Sequence, residues 1–243
     1  MIQIYSNSLG KEELNAIGEV FDSKWLGKGP KTEKFISDFA SKLTEVHYGV
    51  ALTHPSNDHF LTINCCTEGI FQILEFLNVK EGDEVILPSI SFVGVANAIV
   101  SRGATPIFCD VDKHTLNPTE EHILEKITPK TKAVIVIHYA GVPCNINSIS
   151  LLCKKHSITL IEDNANSPFS YADSKSTGLH GDFGVWSFDA MKILVTGDGG
   201  MIYCKDKTHA EALRKQSYLG LESSSGLSNS IDKKWGEFEV SSA

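Results

Sequence analysis

Hydrophobic and polar positions change period along this chain, and the changes divide it into elements. Residues 11–21, Lys-Glu-Glu-Leu-Asn-Ala-Ile-Gly-Glu-Val-Phe, carry apolar side chains at helical spacing on one face. A glycine-broken stretch, Trp25-Leu26-Gly27-Lys28-Gly29-Pro30, leads to a second helix over 32–43. Residues 60–64 read as a strand and 68–77 as a helix. Alternation follows: strand 84–87, helix 92–100, strand 105–110, helix 120–127, strand 133–137, helix 149–156, strand 159–161. The run Ala133-Val134-Ile135-Val136-Ile137 is apolar without a break, as in a parallel strand buried on both faces. Residues 184–188 and 201–204 add two strands, and 220–243 read as a loop rich in Ser and Gly. Strand–helix alternation of this kind predicts an α/β fold, with a mostly parallel sheet between two helical layers.

Composition narrows the function. The chain has 243 residues, enough for one large domain or two small ones. A net charge of -8 argues against a nucleic-acid partner. No apolar run reaches the length of a membrane span, and the N-terminus lacks the pattern of a signal peptide. The six cysteines form no CxxC pair and show no ligand spacing with the histidines. They are expected to be free thiols in a reducing cytoplasm, with no metal site.

Candidate chemistry gathers where strands end. Thr159-Leu160-Ile161 runs into Glu162-Asp163-Asn164-Ala165-Asn166, and Phe183-Gly184-Val185-Trp186 into Ser187, five residues before Lys192. Ligands of an open α/β sheet collect at the carboxyl ends of its strands. A lysine, an aspartate and a serine so placed suggest pyridoxal phosphate (PLP): an amine for a Schiff base, a carboxylate for the pyridine nitrogen, a hydroxyl for the phosphate. Taken singly, each has a plainer reading, as a solvated surface lysine or a turn aspartate. Asn64-Cys65-Cys66-Thr67 follows a strand and opens a helix, where free amides favour an anion; Thr67 could equally cap that helix. Phe92 could stack on a flat ring or belong to the core. His138 could face a ligand or be a satisfied buried histidine.

These stretches, with Gly27-Lys28-Gly29-Pro30, Leu87-Pro88-Ser89-Ile90-Ser91-Phe92-Val93, Gly103-Ala104-Thr105-Pro106-Ile107-Phe108-Cys109-Asp110-Val111-Asp112 and Gly181-Asp182-Phe183-Gly184-Val185-Trp186-Ser187-Phe188, occur in one order. Together they resemble the DegT/DnrJ/EryC1/StrS family of PLP-dependent nucleotide-sugar aminotransferases. The resemblance implies the large domain of PLP fold type I over residues 1–243. Residues 1–30 would be an N-terminal arm and helix, and 220–243 would lead to a smaller C-terminal domain that the chain does not include. It further implies amine transfer from an amino acid, glutamate foremost, to a keto group of a nucleotide-linked sugar. The setting would be surface polysaccharide biosynthesis, in a cytoplasmic homodimer with shared active sites.

Carried over by residue, the resemblance makes Lys192 the Schiff-base and proton-shuttling lysine and Asp163 the partner of the pyridine nitrogen. Cys66, Thr67 and Ser187 would bind the phosphate, Phe92 would stack on the ring, and Asn166 would lie near the phenolic oxygen. Departures from the family pattern are Cys65-Cys66 before the phosphate turn, Asn166 for a longer side chain, Asp198-Gly199-Gly200 for Glu-Gly-Gly, and an altered connection over 48–59. The dehydratase branch of the family has histidine where Lys192 stands, which argues against that activity. A non-catalytic PLP-binding homologue is the alternative. A nicotinamide-dependent dehydrogenase would need GxGxxG after an early strand, and Gly27-Lys28-Gly29 does not supply it.

Overall fold

The computed structural model describes residues 8–44 and 55–217. The expected loop over 220–243 and most of the altered connection over 48–59 lie outside them. Two helices come first, α1 (Lys11–Ser23) and α2 (Pro30–Leu43). The α/β body follows: β1 (Phe60–Ile63), α3 (Cys66–Phe76), β2 (Glu84–Pro88), α4 (Val93–Ser101), β3 (Thr105–Cys109), α5 (Glu120–Leu124), β4 (Thr131–Ile137), α6 (Ile146–Lys155) and β5 (Thr159–Asp163). A two-residue hairpin, β6 (Tyr171–Ala172) and β7 (Lys175–Ser176), precedes β8 (Phe183–Ser187), β9 (Gly200–Cys204) and α7 (Lys207–Ser217).

Seven strands form one sheet in the order β1-β9-β8-β5-β4-β2-β3. β9 alone runs against its neighbours; the other adjacent pairs are parallel. Period-two alternation sorts the side chains to the two faces. Val85, Leu87, Ile135, Ile161, Val185 and Ile202 join the core under α3, α4 and α7. Ile86, Val134, Val136 and Leu160 pack with α5 and α6 on the other face, while Phe60, Trp186, Met201 and Tyr203 pack there with α2. The result is the expected three-layer α/β/α arrangement.

Several expected boundaries move by one to three residues. The helix read over 92–100 begins at Val93, with Phe92 in extended backbone as its cap, and the helix over 120–127 stops at Leu124. α7 was not anticipated. All six cysteines are free, and five are buried.

Candidate active site at the carboxyl edge of the sheet

The loops leaving β1, β2, β4, β5 and β8 surround a cavity of about 650 Å³, within the usual range for small-molecule sites. Cys66, Thr67, Phe92, Asp163, Asn166, Ser187 and Lys192 all line it. Larger space, about 790 Å³ beside Thr159, Phe183 and Lys205, lies at the opposite edge of the sheet, away from these residues.

One end of the cavity is built on the start of α3. Cys65 caps this helix, its Sγ accepting from the Glu68 amide (3.4 Å), and Glu68 Oε2 accepts from the Asn64 amide (3.1 Å). Thr67 is therefore not the cap. It stands inside the first turn, where the amides of Cys66 and Thr67 have no intrahelical acceptor. Gly200 lets β9 approach that turn: a Cβ there would lie 2.9 Å from the Cys66 nitrogen and 2.8 Å from the Trp186 carbonyl oxygen. Ser187 pairs in register with Gly200, and its buried hydroxyl accepts from the Asp189 amide (3.4 Å).

Phe92 is 62% exposed, so it is not a core residue. Its ring lies along the first turn of α4 where Gly94 leaves room. A Cβ on Gly94 would meet Phe92 Cε1 at 2.8 Å and Thr67 Cγ2 at 2.9 Å.

Asp163 ends β5 and is 3% exposed. Its Oδ1 accepts from the Ala165 amide (2.9 Å), and the Cys66 thiol points to the same oxygen (3.9 Å). Burial pushes this carboxyl above its ordinary value, although the Ala165 amide and the Lys192 charge pull the other way. Lys192 is half-buried in the loop between β8 and β9. Its backbone amide donates to the Asp189 carbonyl (2.9 Å). Phe188–Gly199 and Thr196–Phe188 backbone bonds, each 2.9 Å, close the base of that loop. Asn166 is half-buried at the rim.

His138 resolves to the plainer of its two readings. It is fully buried, its Nδ1 accepts from the Cys144 amide (3.1 Å), and its Nε2 faces Glu162 Oε2 (3.0 Å). That pattern places the proton on Nε2 and leaves the ring no free nitrogen. Glu162, next to Asp163 but on the opposite face, is the hub of a network that the sequence did not disclose. Besides His138, it accepts from the amides of Gly178 (2.8 Å), His180 (2.7 Å) and Gly181 (2.6 Å). Burial alone would raise its carboxyl; the His138 hydrogen bond, the electrostatic pull of the His138 and His180 rings and the Gly181 amide outweigh it and hold the group below its ordinary value. Ile90, Ser91, Tyr139, Asp189 and Asp198 also line the cavity. Ile90 and Ser91 stand in the segment after β2 and Asp198 opens the Gly199-Gly200 turn, both marked in the sequence; Tyr139 and Asp189 carry no local signal.

An amine, a buried carboxylate, an exposed aromatic ring and an anion-favouring helix start thus face one space. Similarity to known proteins points the same way. A dTDP-4-dehydro-2,3,6-trideoxy-D-glucose 4-aminotransferase of Saccharopolyspora spinosa is 44% identical over 241 residues, which are 99% of this chain and 60% of that protein. The spore coat polysaccharide biosynthesis protein SpsC of Bacillus subtilis is 33% identical over 96% of this chain and 57% of its own length. Among solved structures, the aminotransferase TlmJ of Streptoalloteichus hindustanus is 49% identical with a TM-score of 0.88, covering 100% of this chain and 60% of that one. PseC of Helicobacter pylori, an aminotransferase involved in pseudoaminic acid biosynthesis, is 27% identical with a TM-score of 0.81, over 99% and 59% respectively. The chain therefore spans about three-fifths of the length of these relatives. The model of one family matches residues 7–237, nearly the whole sequence, and the chain belongs to that family, the DegT/DnrJ/EryC1/StrS aminotransferases.

Proposed function

We propose that this chain carries the cofactor site of a PLP-dependent aminotransferase, which moves an amino group from an amino acid, glutamate foremost, to a keto group of a nucleotide-linked sugar. The observation that carries this reading is convergence. Seven residues from the ends of four strands, β1, β2, β5 and β8, face one cavity. The donor set fits PLP: unpartnered first-turn amides for a phosphate, an exposed phenyl ring for stacking, and a buried carboxylate with one oxygen bonded by the protein.

When bound, PLP supplies an electron sink for negative charge at the amino-acid Cα. The protein's own groups do the rest. Lys192 Nζ would supply the amine that holds the cofactor and the base that moves a proton at the substrate carbon. Asp163 holds the proton on the ring nitrogen; a cation beside a carboxyl that burial has pushed upward favours its ionised form. The amides of Cys66 and Thr67, with the Thr67 and Ser187 hydroxyls, anchor the phosphate. Phe92 would stack on the ring, and Asn166 would serve its phenolic oxygen.

The substrate class is supported by the Saccharopolyspora relative, whose name specifies a dTDP-linked keto sugar. A cytoplasmic homodimer sharing its sites completes the proposal; exposed Phe92, Val93, Met191 and Ile193 give the region around the cavity apolar surface for a partner subunit. The test is a half-reaction. Glutamate added to the PLP-loaded protein should shift its absorbance to that of the pyridoxamine form, and Lys192→Ala should abolish the shift. A wild-type spectrum that glutamate leaves unchanged overturns the proposal.

A further inference from the structure

Cys66 was read from sequence as a phosphate ligand, yet its side chain lies elsewhere. It is the first residue of α3 and is 7% exposed. The backbone amide faces the anion end of the cavity, while the thiol points across the sheet to Asp163 Oδ1 (3.9 Å). Two features of the fold create this contact. Alternation along β5 sends Asp163 to the α3 side and Glu162 to the other, and Gly200 lets α3 start close against β9. The Ala165 amide donates to the same Oδ1 (2.9 Å), and no protein donor reaches Oδ2 among the described residues.

We propose that Cys66 is a positioning residue for Asp163: its thiol, with the Ala165 amide, commits Oδ1 to the protein and leaves Oδ2 to face the ring nitrogen. This rests on the PLP reading of the cavity. A thiol suits the task because it stays protonated. Burial and the negative charge of Asp163 push it well above its usual value, which the charge of Lys192 only partly offsets, so at neutral pH it donates and never competes as an anion. Lys192 and, more weakly, the His138 ring are the other groups that act electrostatically on Asp163.

The experiment compares wild type, Cys66→Ala and Cys66→Ser in two measurements. The first is carbon-13 NMR titration of the Asp163 carboxyl in the cofactor-free protein, assigned with Asp163→Asn. The second is the PLP dissociation constant by absorbance. Cys66→Ala should move the carboxyl midpoint upward and weaken PLP about two- to fivefold, the loss of one weak donor. Cys66→Ser, whose hydroxyl replaces the donor, should restore both. An unchanged midpoint in Cys66→Ala, or Cys66→Ser as defective as Cys66→Ala, overturns the proposal. If no form binds PLP, the cofactor reading fails, and the NMR midpoint alone still decides whether Cys66 acts on Asp163.

Discussion

Replacing Glu162 with glutamine removes one charge and almost no volume, and the structure gives its consequence. Oε1 accepts from the His180 and Gly181 amides; Oε2 accepts from the Gly178 amide and the His138 ring. Glutamine retains one carbonyl oxygen, so it satisfies two of these four donors and turns its own NH₂ toward the other two. His138 cannot relieve the clash by moving its proton to Nδ1, because Nδ1 already accepts from the Cys144 amide. Hydrogen bonds to charged groups contribute about 1.5–3 kcal/mol each, so losing two costs about 3–6 kcal/mol. That is a large fraction of the roughly 5–15 kcal/mol that holds a domain folded. The pH dependence has a definite sign. The folded carboxyl lies below its ordinary value of 4.5, so its contribution is complete above that value and is lost as pH falls through the folded pKa. Urea denaturation across pH should show wild type losing stability on the acid side, and Glu162→Gln starting low and losing less. A loss under about 1 kcal/mol at neutral pH would refute the four-donor network as described.

Two further substitutions separate the cavity from the core. Phe92→Ala should weaken PLP about two- to tenfold through the lost stacking. Because the ring is 62% exposed, denaturant stability should change by no more than about 0.5 kcal/mol; a loss of several kcal/mol would place the ring in the core. Gly200→Ala should destabilise the fold by about 1–3 kcal/mol, because its Cβ meets backbone atoms of β8 and α3 that cannot rotate away, and PLP affinity should fall with it. An alanine variant that melts with the wild type would contradict that close approach.

The sequence announced the sheet more clearly than the network behind the site. Residues 133–137 were legible because a strand buried on both faces needs an unbroken apolar run. Lys192, Asp163, Ser187 and Phe92 were legible because each stands at a strand end or in the segment that follows one. α7 was not: its charged sequence buries only Ala210 and Leu213, so its helical character is set by packing against the sheet, though Asp206 capping through Thr208 was a local hint. The Glu162 network joins residues 16 to 24 positions apart, and the Cys66–Asp163 contact spans 97 positions. No local pattern encodes such pairs; only the order of strands in the sheet brings them together.

If the cavity binds PLP as proposed, the amine of Lys192 holds it. Borohydride reduction of the PLP-loaded chain, digestion and mass spectrometry of the peptides test it most directly. One phosphopyridoxyl group is expected, on the peptide bearing Lys192. Label on another lysine, such as Lys28, or no retained label at all, would rule Lys192 out.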